Sequence, residues 1–239
     1  MTSRRRFLAT LPALGDTATL PAFAASQSKE TVERLTLSVT KSIPLRAGWI
    51  FRLDPTGSHD PDAELSRKDG WQNVTVPHTW QFMAGSPDYV GAAWYKIDFF
   101  CPPEWQHHFL RVEFEAVFHT AHVYLNGTPV GQHVGKGYTA FTCDLSATLR
   151  PGQINTLLVR AENTPSETML PRMNFFDRAN DGGLVRPVSL LLTPRVFIDR
   201  IEIDATPDLE MKAAAVNIRA IVRNNLDTPQ TVRLSASAQ

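Results

Sequence analysis

The sequence predicts an all-β chain of antiparallel strands, on three observations. From about residue 31 onward the apolar residues recur with a period of two rather than 3.6. Asn126-Gly127 separates two strand-like runs, and Asn-Gly is the pair that best tolerates the positive φ angles of a tight type I′ hairpin turn. Turn signals then recur at short spacing, which argues for a sandwich.

Taken in order, Arg34–Val39 alternates polar and apolar, as does Arg111–Glu115. His122–Leu125 and Thr128–Gly131 flank the Asn-Gly turn. Pro151-Gly152-Gln153 punctuates two further strands, the second at Asn155–Arg160, and Val188–Leu192 closes the run. No sustained amphipathic helix is present; Ala63–Lys68 is expected to hold one helical turn. This first domain is placed at 30–194, with Thr193-Pro194-Arg195 as a hinge, since proline cannot continue a ladder. Val196–Ile203, Val216–Val222 and Thr231–Leu234 then predict three more strands, the opening of an immunoglobulin-like sandwich over 195–239. Such a domain needs about seven strands and roughly 100 residues. The sequence therefore reads as stopping inside it, with an apolar face and strand edges left open.

The 239 residues are 43% hydrophobic and 20% charged, ordinary for a chain that buries a core. Lys plus Arg equals Asp plus Glu, 24 against 24, so there is no electrostatic footprint for nucleic acid or an anionic membrane. All five Trp lie between Trp49 and Trp105, a crowding that fits a rich core first and a carbohydrate-facing surface second. Residues 1–25 read as a targeting segment. Ser3-Arg4-Arg5-Arg6-Phe7-Leu8 matches the twin-arginine export pattern, an apolar stretch follows, and Ala22-Phe23-Ala24 offers small residues to a signal peptidase. Cleavage after Ala24 would remove three Arg and one Asp and leave 21 basic against 23 acidic residues, a charge of −2. The expected location is periplasmic or extracellular. The two cysteines, Cys101 and Cys143, sit in strand-like stretches and read as two buried thiols, with a disulfide as the alternative in an oxidising compartment.

Several blocks now line up. Trp71 is followed by Val74-Thr75-Val76-Pro77-His78-Thr79-Trp80; Gly91 is followed by Trp94-Tyr95. Phe114-Glu115-Ala116-Val117 leads to Ala121–Gly127, then to Val130-Gly131, His133, Gly137-Tyr138 and Phe141. Asn155–Arg160 and Asn163 follow, and Asp181-Gly182-Gly183-Leu184-Val185-Arg186-Pro187-Val188 closes the domain. Each block alone is weak; together and in this order they resemble glycoside hydrolase family 2, β-galactosidase-like, over about 45–194 and into the next domain. The resemblance implies a jelly-roll, galactose-binding-like β-sandwich that binds sugar, then an immunoglobulin-like domain, then a TIM barrel.

The family resembled cleaves β-glycosides with retention, which needs two carboxylates about 5–5.5 Å apart. In that family both are glutamates on the barrel, the acid/base preceded by Asn. This sequence has no Asn-Glu dipeptide and lacks the ~250 residues of a barrel. No catalytic residue is assigned, and hydrolysis is expected to need a barrel outside this sequence. Glu113 and Glu115 share one strand face and read as a solvated or structurally paired face.

The resemblance also implies that loops of the first domain reach the rim of the barrel's active site. One candidate is His78-Thr79-Trp80 with Gln81, although Thr79 replaces a residue that is often acidic in the family. Two readings of Trp80 stand: a ring that stacks on a sugar, and an anchor for its loop. The other candidate is Arg172–Asp181, where Asp177 has the spacing of an aspartate that reaches substrate hydroxyls in β-galactosidase-like members, sometimes through a sodium ion. Asp181 is the second choice, with capping of the Gly-Gly turn as its structural role. The substrate-binding set is therefore Asp177, His78, Trp80 and Asp181, with a β-galactoside-type carbohydrate as partner. No cofactor is expected. No metal site is expected either: His119 and His122, three apart on a strand, point to opposite faces. Three functions follow: the sugar-binding front of an exported β-galactosidase-type hydrolase, a stand-alone lectin-like module, and an inactive gene relic.

Overall fold

A computed structural model describes residues 3–12, 40–83, 85–166, 181–210 and 212–235, the first of these as backbone only. The strands are β1 (Ser3–Pro12), β2 (Lys41–Pro44), β3 (Trp49–Asp54), β4 (Gln72–Val74), β5 (Ala92–Phe100), β6 (His108–Phe114) and β7 (Thr120–Leu125). They continue with β8 (Thr128–His133), β9 (Phe141–Asp144), β10 (Ile154–Glu162), β11 (Val188–Pro194), β12 (Val196–Asp208) and β13 (Ala213–Asn224). One short helix, α1 (Pro61–Ser66), interrupts them. The expected strand at Arg34–Val39 lies outside the described residues. The chain divides into two compact units, with breaks between Val39 and Thr40 and between Thr193 and Pro194.

The Thr40–Thr193 unit is an antiparallel sandwich. A six-stranded sheet of order β4-β3-β5-β10-β7-β8 and a four-stranded sheet of order β2-β11-β6-β9 enclose one core. The alternation explains the layers. On β10, Leu157, Val159 and Ala161 face inward and pair with Ile97, Tyr95 and Ala93 on β5 and with Leu125, Val123 and Ala121 on β7. Leu110, Val112 and Phe114 do the same from β6. Trp49, Trp80 and Trp94 have no exposed surface, so most of the tryptophan crowding belongs to packing.

The hairpin between β7 and β8 turns on Asn126 and Gly127, both with positive φ, at 53° and 88°. The Asn126 side chain ties this turn to β10: its Nδ2 donates to Asn155 Oδ1 at 2.9 Å, and its Oδ1 accepts from the Thr156 N–H at 3.0 Å. Asn155, fully buried, also receives the Arg150 N–H and donates to the carbonyls of Arg150 and Gln153. The helical turn starts earlier than Ala63, because Asp60 caps it by accepting from the N–H groups of Asp62 and Ala63, and Pro61 suits the first helical position. This segment straps the outer face of the larger sheet. Arg52 pairs with the buried Glu64 at 3.1 Å, Lys96 donates to the carbonyls of Glu64 and Arg67, and Arg160 donates to the Ser58 carbonyl.

Cys101 and Cys143 are both buried and both free. Burial pushes the Cys143 thiol up to about 12.

The second unit holds a three-stranded antiparallel sheet of order β1-β13-β12. Its strands differ from the expectation in two ways. β12 and β13 run longer, to Asp208 and from Ala213, because alanine and threonine continue the ladder across Ala205↔Val216 and Thr206↔Ala215. The third strand is Ser3–Pro12, not Thr231–Leu234, which forms no strand. Ser3–Pro12, which the sequence reading assigns to an export leader, pairs along β13 from Ser3↔Asn224 to Pro12↔Ala215 in the uncleaved chain. An open strand edge presents unpaired N–H and C=O groups, and an extended segment of the same chain satisfies them.

Candidate functional site

The candidate loops meet at one end of the sandwich, where β3 and β10 finish and β5 and β7 begin. The chain from β4 crosses the inner face to reach it, and a short ladder fixes it there. The His78 N–H donates to the Leu184 carbonyl at 2.8 Å and the Trp80 N–H to the Gly182 carbonyl at 3.2 Å. On its other side the same glycine segment pairs with Phe118, through Phe118 N–H to Gly183 O at 2.9 Å and the reverse bond at 3.2 Å. Residues 78–80, 182–184 and 118 are thus bound edge to edge although they are far apart in sequence.

The side chains complete the lock. Gln81 Oε1 accepts from the Gly182 N–H at 2.8 Å and from the Thr79 hydroxyl at 2.9 Å, while its amide donates to the Tyr89 carbonyl. Trp80 Nε1 donates to the same carbonyl at 3.2 Å. Asn163, buried, accepts from the Gly91 N–H at 2.9 Å. Gly182 and Gly183 allow the close approach. A Cβ on Gly182 would overlap the indole of Trp80, and one on Gly183 would sit 2.5 Å from the His78 carbonyl oxygen.

The predicted residues fall as follows. Trp80 is packed with no exposed surface, its ring stacked on Phe51 at 6.2 Å and edge-on to Tyr89 at 6.1 Å. His78 is half-buried, with Nδ1 2.8 Å from the Tyr95 hydroxyl and its ring against Phe51. Burial lowers its pKa from 6.5 to about 4, so the imidazole is neutral near pH 7. Asp181 is half-buried and leads directly into the Gly182-Gly183 segment. The structure therefore brings His78, Trp80 and Asp181 to one loop end. Asp177 lies outside the described residues.

Tyr89, Tyr95 and Phe82 also belong to this end, although none of them is among the substrate-binding residues predicted from sequence. Tyr95 is fully buried and contacts His78 directly. Phe82 is 87% exposed, a large apolar side chain beside the Trp80 loop. The Trp94-Tyr95 block marked Tyr95 as a motif member, but its partner stands 17 residues away. Among the described residues no group of three or more His, Cys, Asp or Glu is placed to hold a metal ion.

Comparison with known proteins adds the lineage. The family model described as "Glycosyl hydrolases family 2, sugar binding domain" matches residues 46–194. A β-glucuronidase of Bacteroides fragilis is 31% identical over 166 residues, covering 68% of this chain and 22% of that protein. A β-galactosidase of Thermoanaerobacterium thermosulfurigenes is 28% identical over 170 residues, covering 69% of this chain and 23% of that protein. Among solved structures, a β-glucuronidase of an uncultured Clostridium species superposes with a TM-score of 0.67 at 25% identity, over 77% of this chain and 34% of that one. The matched region thus spans about a fifth to a third of the length of these relatives. The chain belongs to glycosyl hydrolase family 2, and its sandwich is the sugar-binding domain of that family.

Proposed function

We propose that this chain supplies the carbohydrate-binding sandwich of an exported hydrolase acting on β-galactosides or related β-glycosides, and that the hydrolytic carboxylates lie on another part of a longer protein. The observation that carries the reading is the coincidence of the sugar-binding family match at 46–194 with the compact sandwich at Thr40–Thr193. The side-chain pattern supports placing the chemistry elsewhere. Glu113 and Glu115 alternate with the buried Val112, Phe114 and Ala116, so they face away from the core. A β-glucuronide ligand is the second reading, favoured by the name of the Bacteroides fragilis relative.

Isothermal titration of the chain with methyl β-galactoside and methyl β-glucuronide tests both readings. Saturable binding of the galactoside with weaker heat from the glucuronide is expected. The reverse order selects the second reading, and flat traces with both sugars remove carbohydrate binding by this chain.

Export rests on Ser3-Arg4-Arg5-Arg6-Phe7-Leu8 and the small residues Ala22 and Ala24. Residues 1–25 fused to a folded reporter are expected to carry it to the periplasm of a bacterial host. Arg4→Lys together with Arg5→Lys is expected to leave it in the cytoplasm. A reporter indifferent to the double change would remove the twin-arginine reading.

A further inference from the structure

His78 and Tyr95 form a pair whose proton positions can be worked out from geometry. Tyr95 has no exposed surface, so its hydroxyl must find both its donor and its acceptor inside the protein. The hydroxyl proton needs an acceptor of its own. The one side-chain atom that the structure places on it is Nδ1 of His78, at 2.8 Å. A proton on Nδ1 would leave the Tyr95 O–H facing another donor and itself unsatisfied, which costs about 1–3 kcal/mol in a buried setting. Nδ1 is therefore the acceptor, and the ring proton sits on Nε2. No described residue is hydrogen-bonded to Nε2, and His78 is half-buried. The ring is held in place by Phe51, 4.9 Å away, and by its own backbone bond to Leu184.

We propose that Tyr95 is a positioning residue that fixes His78 as the Nε2–H tautomer, so that the ring offers one oriented donor to a hydroxyl oxygen of a bound sugar. This rests on the carbohydrate-binding reading of the same loop end. The donor carries no positive charge, because burial keeps the imidazole neutral at pH 7. A neutral donor suits an uncharged hydroxyl. It gives none of the ionic attraction that a carboxylate would draw from an imidazolium.

The test is long-range 1H–15N correlation spectroscopy of the histidine rings in the 15N-labelled chain at pH 7, with and without methyl β-galactoside, beside calorimetry of the same samples. His78 is expected to show a protonated Nε2 and an unprotonated Nδ1, and the Nε2 resonance is expected to move on saturation with sugar. Tyr95→Phe removes the O–H donor and is expected to shift the Nδ1 resonance towards that of a ring free to exchange tautomers. It should weaken binding about five- to tenfold, the equivalent of one hydrogen bond. His78→Gln, which keeps an acceptor for Tyr95 and a donor for the ligand, is expected to retain more affinity than His78→Phe. A proton on Nδ1 of the wild-type ring overturns the positioning role. Sugar binding that saturates without moving Nε2 overturns the donor role and leaves carbohydrate binding standing. Absence of any sugar binding, with the tautomer as stated, removes the donor role together with the reading on which it rests.

Discussion

Gly182→Ala is expected to cost the sandwich about 3–5 kcal/mol, enough to unfold a domain of ordinary stability. The added methyl would overlap the six-membered ring of Trp80. That indole cannot step aside. It is fully buried, stacked on Phe51, edge-on to Tyr89, and tethered through Nε1 to the Tyr89 carbonyl. The cost therefore belongs to a pair, and a double-mutant cycle isolates it. Trp80→Leu alone should cost about 2–4 kcal/mol through the cavity it leaves. Combined with Gly182→Ala it should cost clearly less than the sum, because the methyl then fills space that the indole vacated. Gly183→Ala is the control. Gly183 has φ of +137°, and its Cβ would meet the His78 carbonyl oxygen at 2.5 Å, a backbone atom that no change at Trp80 moves. Urea unfolding of the wild type and the five variants, the Gly183→Ala/Trp80→Leu double included, checks this: additivity between Gly182→Ala and Trp80→Leu, or rescue of Gly183→Ala by Trp80→Leu, would refute the packing argument.

That pair also shows where sequence reasoning reached and where it stopped. The Asn126-Gly127 turn was legible because both positive φ angles fall on adjacent residues whose side chains tolerate them. The inward face of β6 was legible because the alternation of Arg111–Glu115 is local. The closeness of Gly182 to Trp80 was not, since about a hundred residues separate them and nothing in either block names the other. The same holds for Tyr95 and His78, and for the strap over Glu64, whose charge is met by Arg52 twelve residues away on a different element. Trp80 was open between core and surface because indole suits both; only the position of its neighbours decides its burial. The exchange of Thr231–Leu234 for Ser3–Pro12 beside β13 has a similar cause. Either segment can run extended, and a ladder partner is chosen in space, not by the short stretch of sequence that forms it.

Acid should weaken the sandwich as pH falls through about 6.5. Burial lowers the pKa of His78 to about 4 and also lowers those of His119, His122 and His133, with burial the largest cause in each. In the unfolded chain each ring returns to about 6.5. Between those values the unfolded state binds more protons than the folded one, so stability falls as pH drops through about 6.5 and the loss levels off near the folded values. His78 alone would contribute about 2 kcal/mol once its partial exposure is allowed for. His122 adds to this in the same direction, because Arg160 and His59 also repel its proton. Glu162 belongs to a lower window. Burial raises its pKa, but hydrogen bonds from Arg160 and Thr164 outweigh that and leave it below 4.5, so the stability it contributes is lost only as pH falls further. The melting temperature is therefore expected to drop by at least about 5 °C from pH 7 to pH 4.5. In His78→Gln the drop should be smaller by the share of that one ring. A melting temperature flat between pH 7 and pH 5 would mean that these imidazoles are solvated in the folded chain.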